Sequence, residues 1–430
     1  DANGNAASTT QSNNTATLID GRITIITTID HDQNLAFENS IIQIDSDTYL
    51  LAYKGYSGYL KTFTITADGS AVTQVASYDY SNSNTSYMYQ NDLLQINADT
   101  FILAYSGYNS ATYYGQHIKT FKVKPDGSSI VEIGNLRHDT NYGSTDHSDL
   151  VRVDHDTYAL AYYGYDGGGD NVNGGWIKTF TVNGGSITQV AKLRHFTSTT
   201  SYHSFIKVDA DTYALAFTDN ANDGNIRTFT IPADGSSITQ AGTLEHDTDF
   251  GQYSNLVQVD NDTYALTYSG SGYDGYIKTF TISADGATIT QVVALEHDEI
   301  ASTYNSLLKI DANTFLLTYS GDGDYGYIKT FTIPADGSSI TQVIYLEHNL
   351  SAEYYNSLVQ IDADSYALAY HINNKGRIRT FNTVAAAAAT VPRISSVALA
   401  ADNSTVAVTF NEPVYSTNGG SGALATSDFV

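Results

Sequence analysis

The sequence predicts an all-β fold, a closed seven-bladed β-propeller with four strands in each blade. Three observations predict it. A phrase typified by DTYALAY recurs seven times, at spacings of 51 to 57 residues. A basic residue followed by Thr-Phe also recurs seven times. Finally, residues 23–32 match the last strand of a unit, although no other strand of a unit precedes them. Repeats of this length that contain several short strands are typical of propellers.

Each unit contains four strand-like runs, A to D, which the sixth copy shows clearly. In that copy the runs are NSLLKID at 305–311, TFLLTYSG at 314–321, YIKTFTI at 327–333 and ITQVIYLEH at 340–348. Asp-rich turns join A to B, and Asp-Gly turns join C to D. Both have the chemistry of tight β-turns. In strand B large and small residues alternate, so large faces are expected to pack on small faces around the ring.

The two ends of the repeat predict how the ring closes. Residues 23–32, ITIITTIDHD, align without a gap to strand D of the fifth unit at 289–298. The seventh unit, at 358–382, has strands A, B and C but no strand D. We therefore expect the N-terminal strand to complete the last blade and remove an open sheet edge. Residues 21–384 then form one propeller.

The flanking segments differ from the repeat. Residues 1–20 form a polar N-terminal segment, residues 385–392 a linker, and residues 393–430 contain the run SSVALAADNSTVAVTFNEPVY. This run resembles the opening of bacterial immunoglobulin-like domains, and the whole chain resembles propellers of secreted bacterial surface proteins of the adhesin type. The resemblance implies a partial immunoglobulin-like domain, because such a sandwich needs about 100 residues. We expect a longer modular protein or a strand-donating partner, and the start at Asp1 fits a processed secreted chain or an excised segment.

Composition excludes some classes of partner. The formal charge of −26 and the pI near 4.4 disfavour binding to nucleic acid or to an anionic membrane. The chain has no cysteine, and no apolar run approaches the roughly 18 residues of a membrane span. Abundant Asn, Ser, Thr, Gly and Tyr with few Lys favour a secreted or cell-surface bacterial protein.

Residues that recur in nearly every unit are interpreted as fold devices. Six histidines end strand D, and we expect their rings to hydrogen-bond the backbone of the next blade: His31, His138, His195, His246, His297 and His348. The alternative is a ring of ligands or proton carriers. The basic residue before Thr-Phe is expected to pair with a neighbouring carboxylate, such as Glu245, Glu296, Glu347 or a turn Asp. No metal and no cofactor is predicted; calcium at the Asp-rich turns is an alternative that no specific motif supports.

The loops between strands B and C vary from six to fourteen residues and are rich in Tyr and Gly, which favours a binding face. The connections from D to A add a tyrosine in four units. We predict that these aromatic residues share one face and stack on sugar rings or contact a protein. The candidate ligand-binding residues are Tyr56, Tyr59, Tyr108, Tyr114, Tyr165, Trp176, Tyr273, Tyr276, Tyr325 and Tyr327 from the B to C loops, and Tyr202, Tyr253, Tyr304 and Tyr355 from the D to A connections. The alternative is that the tyrosines only cover glycine-rich turns.

The predicted function is an extracellular binding or adhesion module for a glycan or a surface protein. No nucleophile elbow, HExxH motif or isolated glutamate pair is present, so binding is favoured over catalysis. One alternative is a polysaccharide lyase or hydrolase with a Tyr and His site near the central channel, using Tyr202 with His203, or His147. Another is a structural subunit of an extracellular fibre that self-assembles through its terminal segments.

Overall fold

The structure is a computed structural model that describes residues 22–81, 88–109, 113–139, 148–165, 172–384, 394–399 and 406–410. The contacts divide the chain into two units, residues 1–383 and 384–430. In the first unit, seven four-stranded antiparallel sheets form a seven-bladed propeller, as the repeat predicts. The second unit contains the antiparallel pair β29 (Ile394–Leu399) and β30 (Val406–Phe410). The remainder of the predicted immunoglobulin-like segment lies outside the described residues, so that resemblance stays a prediction.

The strands of the first four blades follow the predicted units. The N-terminal strand is β1 (Arg22–Asp32), and the first blade contains β2 (Phe37–Gln43), β3 (Thr48–Lys54), β4 (Gly58–Ile65) and β5 (Val72–Asp79). The second contains β6 (Met88–Asn97), β7 (Thr100–Asn109), β8 (Tyr113–Val123) and β9 (Ile130–Asp139). The third contains β10 (Asp149–Arg152), β11 (Thr157–Tyr165), β12 (Asn173–Asn183) and β13 (Ser186–Phe196), and the fourth β14 (Ser201–Lys207), β15 (Thr212–Thr218), β16 (Gly224–Thr230) and β17 (Thr239–Asp247).

The last three blades include two short 3₁₀ turns in their B to C loops. The fifth contains β18 (Gln252–Asp260), β19 (Thr263–Ser269), the turn Ser271–Tyr273, β20 (Gly275–Ile282) and β21 (Ile289–Asp298). The sixth contains β22 (Thr303–Lys309), β23 (Thr314–Ser320), the turn Asp322–Asp324, β24 (Gly326–Thr332) and β25 (Thr341–Asn349). The seventh contains β26 (Glu353–Asp362), β27 (Ser365–Ile372) and β28 (Lys375–Val384).

The N-terminal strand closes the ring, as predicted, because the seventh sheet has the order β1-β28-β27-β26. Polar contacts reinforce this closure. Asp30 lies 2.7 Å from the Lys375 ammonium and 2.8 Å from the Arg377 guanidinium. The Arg379 Nε donates to the Thr28 hydroxyl at 3.0 Å. The two ends of the propeller are thus joined by a full strand ladder and by charge.

Neighbouring blades pack large side chains against small ones, which strand alternation predicts. Between the third and fourth blades, Ala159 and Ala161 share a buried cluster with Tyr213, Leu215 and Phe217. All five side chains have 0% exposure. Complete burial of a Leu or Phe side chain contributes about 1.5–3 kcal/mol, so these seven interfaces are the main source of stability.

The recurring basic residue links each blade to the one before it by a hydrogen bond. Its side chain donates to the backbone carbonyl of the residue that ends strand D of the preceding blade, as Lys178 does to His138 at 2.9 Å. The same contact joins Lys61 to His31, Lys119 to Tyr80, Arg227 to His195, Lys278 to His246, Lys329 to His297 and Arg379 to His348. Seven equivalent contacts make this residue a structural device of the ring.

The predicted pairing with glutamate is wrong, whereas the predicted alternative, an Asp of a turn, fits the contacts. Lys278 and Lys329 lie 3.6 and 3.3 Å from Asp247 and Asp298, two residues beyond Glu245 and Glu296. The glutamates do not pair as predicted because they lie opposite residues of their own sheet. Glu296, for instance, is in register with Tyr276. The aspartates instead reach the next blade, where the Tyr319 hydroxyl also donates to Asp298 at 2.6 Å.

The histidine rings do not make the predicted hydrogen bonds to the next blade. In five of the six, both ring nitrogens lack a hydrogen-bond partner among the described residues, and in the sixth the His348 Nδ1 accepts from the side chain of Arg379 rather than from backbone. The rings pack instead: His297 meets the edge of Tyr319 at 5.2 Å, and a Cβ on Gly275 would lie 2.6 Å from its Cε1. The prediction was wrong because the carbonyl, rather than the ring, accepts from the next blade. Burial, helped by the nearby lysine, lowers the pKa of His31, His246 and His297 to about 3, so these rings are neutral.

Candidate functional site

The candidate tyrosines of the B to C loops pack on their own blades. Tyr276 stacks on Tyr268 of strand B with ring centroids 5.5 Å apart, and Tyr327 stacks on Tyr319 at 5.3 Å. Tyr59 stacks on Tyr53 in the same way at 5.5 Å. A Cβ on Gly270 would lie 2.5 Å from the Tyr276 ring, so this tyrosine covers its glycine closely. These three positions follow the alternative in which tyrosines cover glycine-rich turns.

The other aromatic residues of these loops differ in their exposure where the structure describes them. Tyr56 is 64% exposed and Tyr273 is 48% exposed, with the latter ring resting edge-on against Phe250 at 5.0 Å. Trp176 is only 7% exposed, so the exposure expected of its ring is not found. Tyr165 and Tyr325 are half-buried. Tyr108 and Tyr114 lie in β7 and β8, but their side chains are outside what the structure describes. A binding role for this set stays a prediction.

The four tyrosines of the D to A connections converge instead on the propeller axis. Strand A of each blade contacts strand A of both neighbours, so the A strands surround the axis. Tyr202, Tyr253, Tyr304 and Tyr355 line a cavity of about 270 Å³ there. Successive ring centroids lie 4.3, 4.8 and 4.6 Å apart in that order. We call these four rings the tyrosine wall.

An unusual backbone conformation positions the tyrosine wall. All four tyrosines have a positive φ, between 51° and 60°, and each lies within a β-bulge at the start of strand A. A left-handed conformation costs a residue with a side chain about 1–3 kcal/mol, and such strain is concentrated at functional sites. Glu38, with a φ of 52°, occupies the same place in the first blade. The bulge therefore belongs to the fold, while the side chain at its tip differs between blades.

Asparagine side chains hold these bulges in place. The Asn305 amide donates to the Tyr253 carbonyl at 3.1 Å, and the Asn356 amide donates to the Tyr304 carbonyl at 3.4 Å. Asn39 donates to the Tyr355 carbonyl at 3.2 Å. Each asparagine thereby fixes the tyrosine of the preceding blade. Three of the four wall tyrosines are therefore held at their backbone by the neighbouring blade.

Below the bulges, a second ring of side chains links the blades. The residue before the first apolar position of strand A accepts a hydrogen bond from a backbone N–H of the next blade. Its members are Ser357 to Ile41 at 3.0 Å, Ser40 to Leu93 at 3.2 Å, Asp92 to Leu150 at 2.5 Å, Asp149 to Phe205 at 2.6 Å, Ser204 to Leu256 at 2.9 Å and Asn255 to Leu307 at 2.7 Å. Only the second and third blades of these six use aspartate.

Asp92 and Asp149 form a hydrogen-bonded carboxyl pair that borders the cavity. Burial raises the pKa of Asp92 to about 7, and burial together with the Asp92 charge raises the pKa of Asp149 well above its usual range. Two adjacent carboxyl groups cannot both ionise readily, so the pair retains a shared proton near neutral pH. The cavity thus has an aromatic side, in the fourth to seventh blades, and an acidic side.

The charges around the cavity are of one sign. The described lining residues include Glu38, Asp92 and Asp149 but no Lys or Arg. His203 also lines the cavity; its Nε2 lies 2.9 Å from the Thr200 hydroxyl. Tyr202 and His203, the residues of the predicted enzyme alternative, are therefore both at the axis, while His147 lies outside the described residues. Within the described ranges, no group of three or more His, Asp or Glu side chains is arranged to hold a metal ion.

Sequence reasoning missed Glu38, Asp92 and Asp149. The signal was present in the repeat, because the position before the first apolar residue of strand A is Ser or Asn in five units and Asp in two. Comparison of the loops by length favours the B to C face, whereas the informative variation lies in strand A.

Comparisons with known proteins support the fold. No protein-family model matches the sequence, and no curated protein matches it. A putative 6-phosphogluconolactonase from Bacteroides fragilis is similar in structure, with a TM-score of 0.53 at 13% identity over 77% of this chain and 91% of that chain. The periplasmic gluconolactonase of Pseudomonas aeruginosa has a TM-score of 0.51 at 13% identity over 82% and 96%. A protein of unknown function from Dyadobacter fermentans has a TM-score of 0.50 at 12% identity over 84% and 99%.

At these identities the comparisons show the fold and not the activity. A search for membrane spans found no helix in the described part of the chain that is long and apolar enough to cross a bilayer.

Proposed function

We propose that this propeller binds carbohydrate in its axial cavity. The tyrosine wall is the observation that carries the proposal: four successive rings, one per blade, with centroids 4.3 to 4.8 Å apart. Aromatic faces stack on the C–H patches of a sugar ring. Asn, Ser and Asp side chains of the same cavity supply donors and acceptors for its hydroxyl groups.

The size of the cavity supports a small ligand. Pockets for drug-sized ligands measure about 300–1,000 Å³, and this cavity of about 270 Å³ is at the lower end of that scale. One sugar ring, free or at the end of a longer glycan, is the ligand that we propose. The proposed binding site is therefore the axial cavity rather than the B to C loops.

Calorimetric titration with monosaccharides and disaccharides tests this function. Tyr304 lies in the middle of the wall, so Tyr304→Ala is expected to weaken binding about three- to tenfold, the contribution of an aromatic contact beyond its area. Tyr304→Phe keeps the ring and separates stacking from the hydroxyl. Tyr345→Ala is the control, since Tyr345 is 47% exposed on strand D, away from the axis. The absence of binding to any saccharide, or equal affinities of wild type and Tyr304→Ala, would refute the proposal.

Hydrolysis of a sugar lactone is the second candidate function. The proton-sharing carboxyl pair at the cavity favours it, since such a pair is suited to proton transfer. Of two structures of similar fold, one is described as a putative 6-phosphogluconolactonase and the other as a periplasmic gluconolactonase. The described lining has no Lys or Arg, which disfavours a phosphorylated substrate. Release of acid from glucono-1,5-lactone, followed at constant pH, tests this candidate. A rate equal to spontaneous hydrolysis, or one unchanged by Asp149→Asn, would exclude it.

Secretion or display at the cell surface is part of the proposal. Its support is the composition of the chain. Adhesion through a protein partner and self-assembly through the terminal segments remain predictions; those segments lie largely outside the described residues.

A further inference from the structure

We propose that the axial cavity selects a sugar that carries a protonated amine, with the ammonium group at the Asp92 and Asp149 carboxyls and the ring against the tyrosine wall. This inference rests on the proposed carbohydrate function and names the class of sugar. It comes from two independent features of one cavity, the carboxyl pair and the wall.

Among the described residues that line the acidic side of the cavity, none is a Lys or Arg. Glu38 is close to Lys54, whose pKa it raises against the lowering effect of burial, so the charge of Glu38 is partly balanced. The pKa values of the carboxyl pair depend on burial, on the interaction of the two carboxyls with each other and on hydrogen bonds from the N–H groups of Leu150 and Phe205. This side of the cavity therefore favours a cationic ligand and repels a ligand that carries a carboxylate or phosphate.

The aromatic side of the cavity favours the same charge. The face of a tyrosine ring carries a partial negative charge, which attracts a cation as well as sugar C–H groups. Burial and the adjoining Tyr355 and Tyr253 raise the pKa of Tyr304, so its phenol is neutral in the physiological range. A neutral phenol donates a hydrogen bond to a sugar hydroxyl. An amino sugar satisfies both sides of the cavity at once, whereas a neutral sugar leaves the carboxyl pair without a charged partner.

Binding of the amine must displace a proton. The raised pKa values of Asp92 and Asp149 and the hydrogen bond between them indicate that the free pair holds one proton near neutral pH. When an ammonium group donates to the same oxygens, its positive charge lowers the pKa of the pair, and the shared proton leaves to solvent. The amine keeps its own protons, so the balance is one cation bound and up to one proton released. The titratable groups that face the pair around the cavity are Glu38, His203 and the four wall tyrosines.

Three ligands that differ at one carbon test the inference at pH 7: glucosamine, N-acetylglucosamine and glucose. Glucosamine is expected to bind at least about tenfold tighter than the other two, as one charge-assisted hydrogen bond provides. Titrations in two buffers with different heats of ionisation should show proton release for glucosamine and none for glucose. Asp149→Asn and Asp92→Asn should each abolish the proton release and reduce the preference, because only one carboxyl group remains.

Asp99→Asn is the matched control. It also removes one carboxylate, but from an exposed A to B turn where Asp99 pairs with Lys122 at 3.1 Å, so the preference should remain. If glucose or N-acetylglucosamine binds as tightly as glucosamine, or if both pair variants keep the preference, the inference is overturned while carbohydrate binding stands. If neither these three sugars nor any other saccharide binds, the proposed function fails as well.

Discussion

Replacement of Asp92 by Asn should stabilise the protein, and the gain should grow with pH. The side chain of Asp92 accepts a hydrogen bond from the Leu150 N–H at 2.5 Å. An Asn oxygen can make this bond, because Asn255 does so at the equivalent place in the fifth blade, to Leu307 at 2.7 Å. The Asn amide can also donate to Asp149 in place of the shared proton. The variant therefore retains the contacts and loses only the titration.

The magnitude follows from the pKa of Asp92, which rises from an ordinary 3.8 to about 7 on folding. The folded chain holds its proton more tightly than the unfolded chain, so wild-type stability is lost as pH rises from about 4 through 7. Each unit of difference contributes about 1.4 kcal/mol, which gives an upper limit of roughly 4 kcal/mol above pH 7. Because Asp149 shares the effect, we expect Asp92→Asn to gain about 1–3 kcal/mol at pH 8 and close to nothing at pH 4.

Urea unfolding of both proteins between pH 4 and 8.5 measures this difference, provided that the m-value is unchanged. Asn255→Asp is the reciprocal control. It places a carboxyl between Ser204 and Ser306 of the same ring, and it should destabilise the protein increasingly with pH. A stability difference between wild type and Asp92→Asn that does not vary with pH would refute the account of a shared proton. So would a loss of stability at pH 8.

Three further predictions concern the contacts between neighbouring blades. Acidification from pH 6.5 to 5 should lower the melting temperature, because His31, His246 and His297 have pKa values near 3 when folded and take up protons only on unfolding. Each histidine lowers the free energy of unfolding by up to about 2 kcal/mol at pH 5. A melting temperature that is constant over this range would contradict the prediction. Lys278→Met should cost about 1–3 kcal/mol in chemical denaturation, because the His246 carbonyl and Asp247 lose their donor; Lys122→Met, at a 59% exposed side chain, should cost under about 1 kcal/mol, and equal costs would show that burial of the contact is unimportant. Gly275→Ala should cost more than about 1 kcal/mol, since the new Cβ would lie 2.6 Å from both His297 and Ser302; a melting temperature within a degree of wild type would mean that the ring moves aside freely.

The fold could be predicted from the sequence because its signals are local and repeated. Strand period, turn chemistry and the unmatched strand at 23–32 predict seven blades and their closure. The structure contains both the seven blades and the closing strand. The partners of individual side chains were harder to predict. Whether a lysine meets Glu296 or Asp298 depends on which strand face turns toward the next blade, and this depends on twist and register rather than on spacing. The histidine rings illustrate the same limit, because the backbone atoms of His246 and His297 supply the contacts.

The site was only partly predictable, since loop length is a weak guide when the tip of a bulge bears the side chain. Tyr276 and Tyr304 look alike in sequence, because each is the second residue of a strand. The first lies flat over Gly270, and the second faces the axis from a left-handed backbone. No pattern in the sequence marks that conformation, because Glu38 has it as well. Tertiary packing decides it, through asparagines that bind the carbonyl of the preceding blade.

The distribution of side chains around the axis also bears on how a ligand would be oriented. A propeller with seven identical blades offers seven equivalent orientations, which would cancel any preference for one. Here the equivalent bulge positions run from Glu38 in the first blade to Tyr202, Tyr253, Tyr304 and Tyr355 in the last four. The paired carboxyls belong to the second and third. A ligand with one apolar face and one polar or charged edge would therefore have a single favourable orientation, and under the proposed function the departures from symmetry at the axis, rather than the repeated residues, would determine specificity.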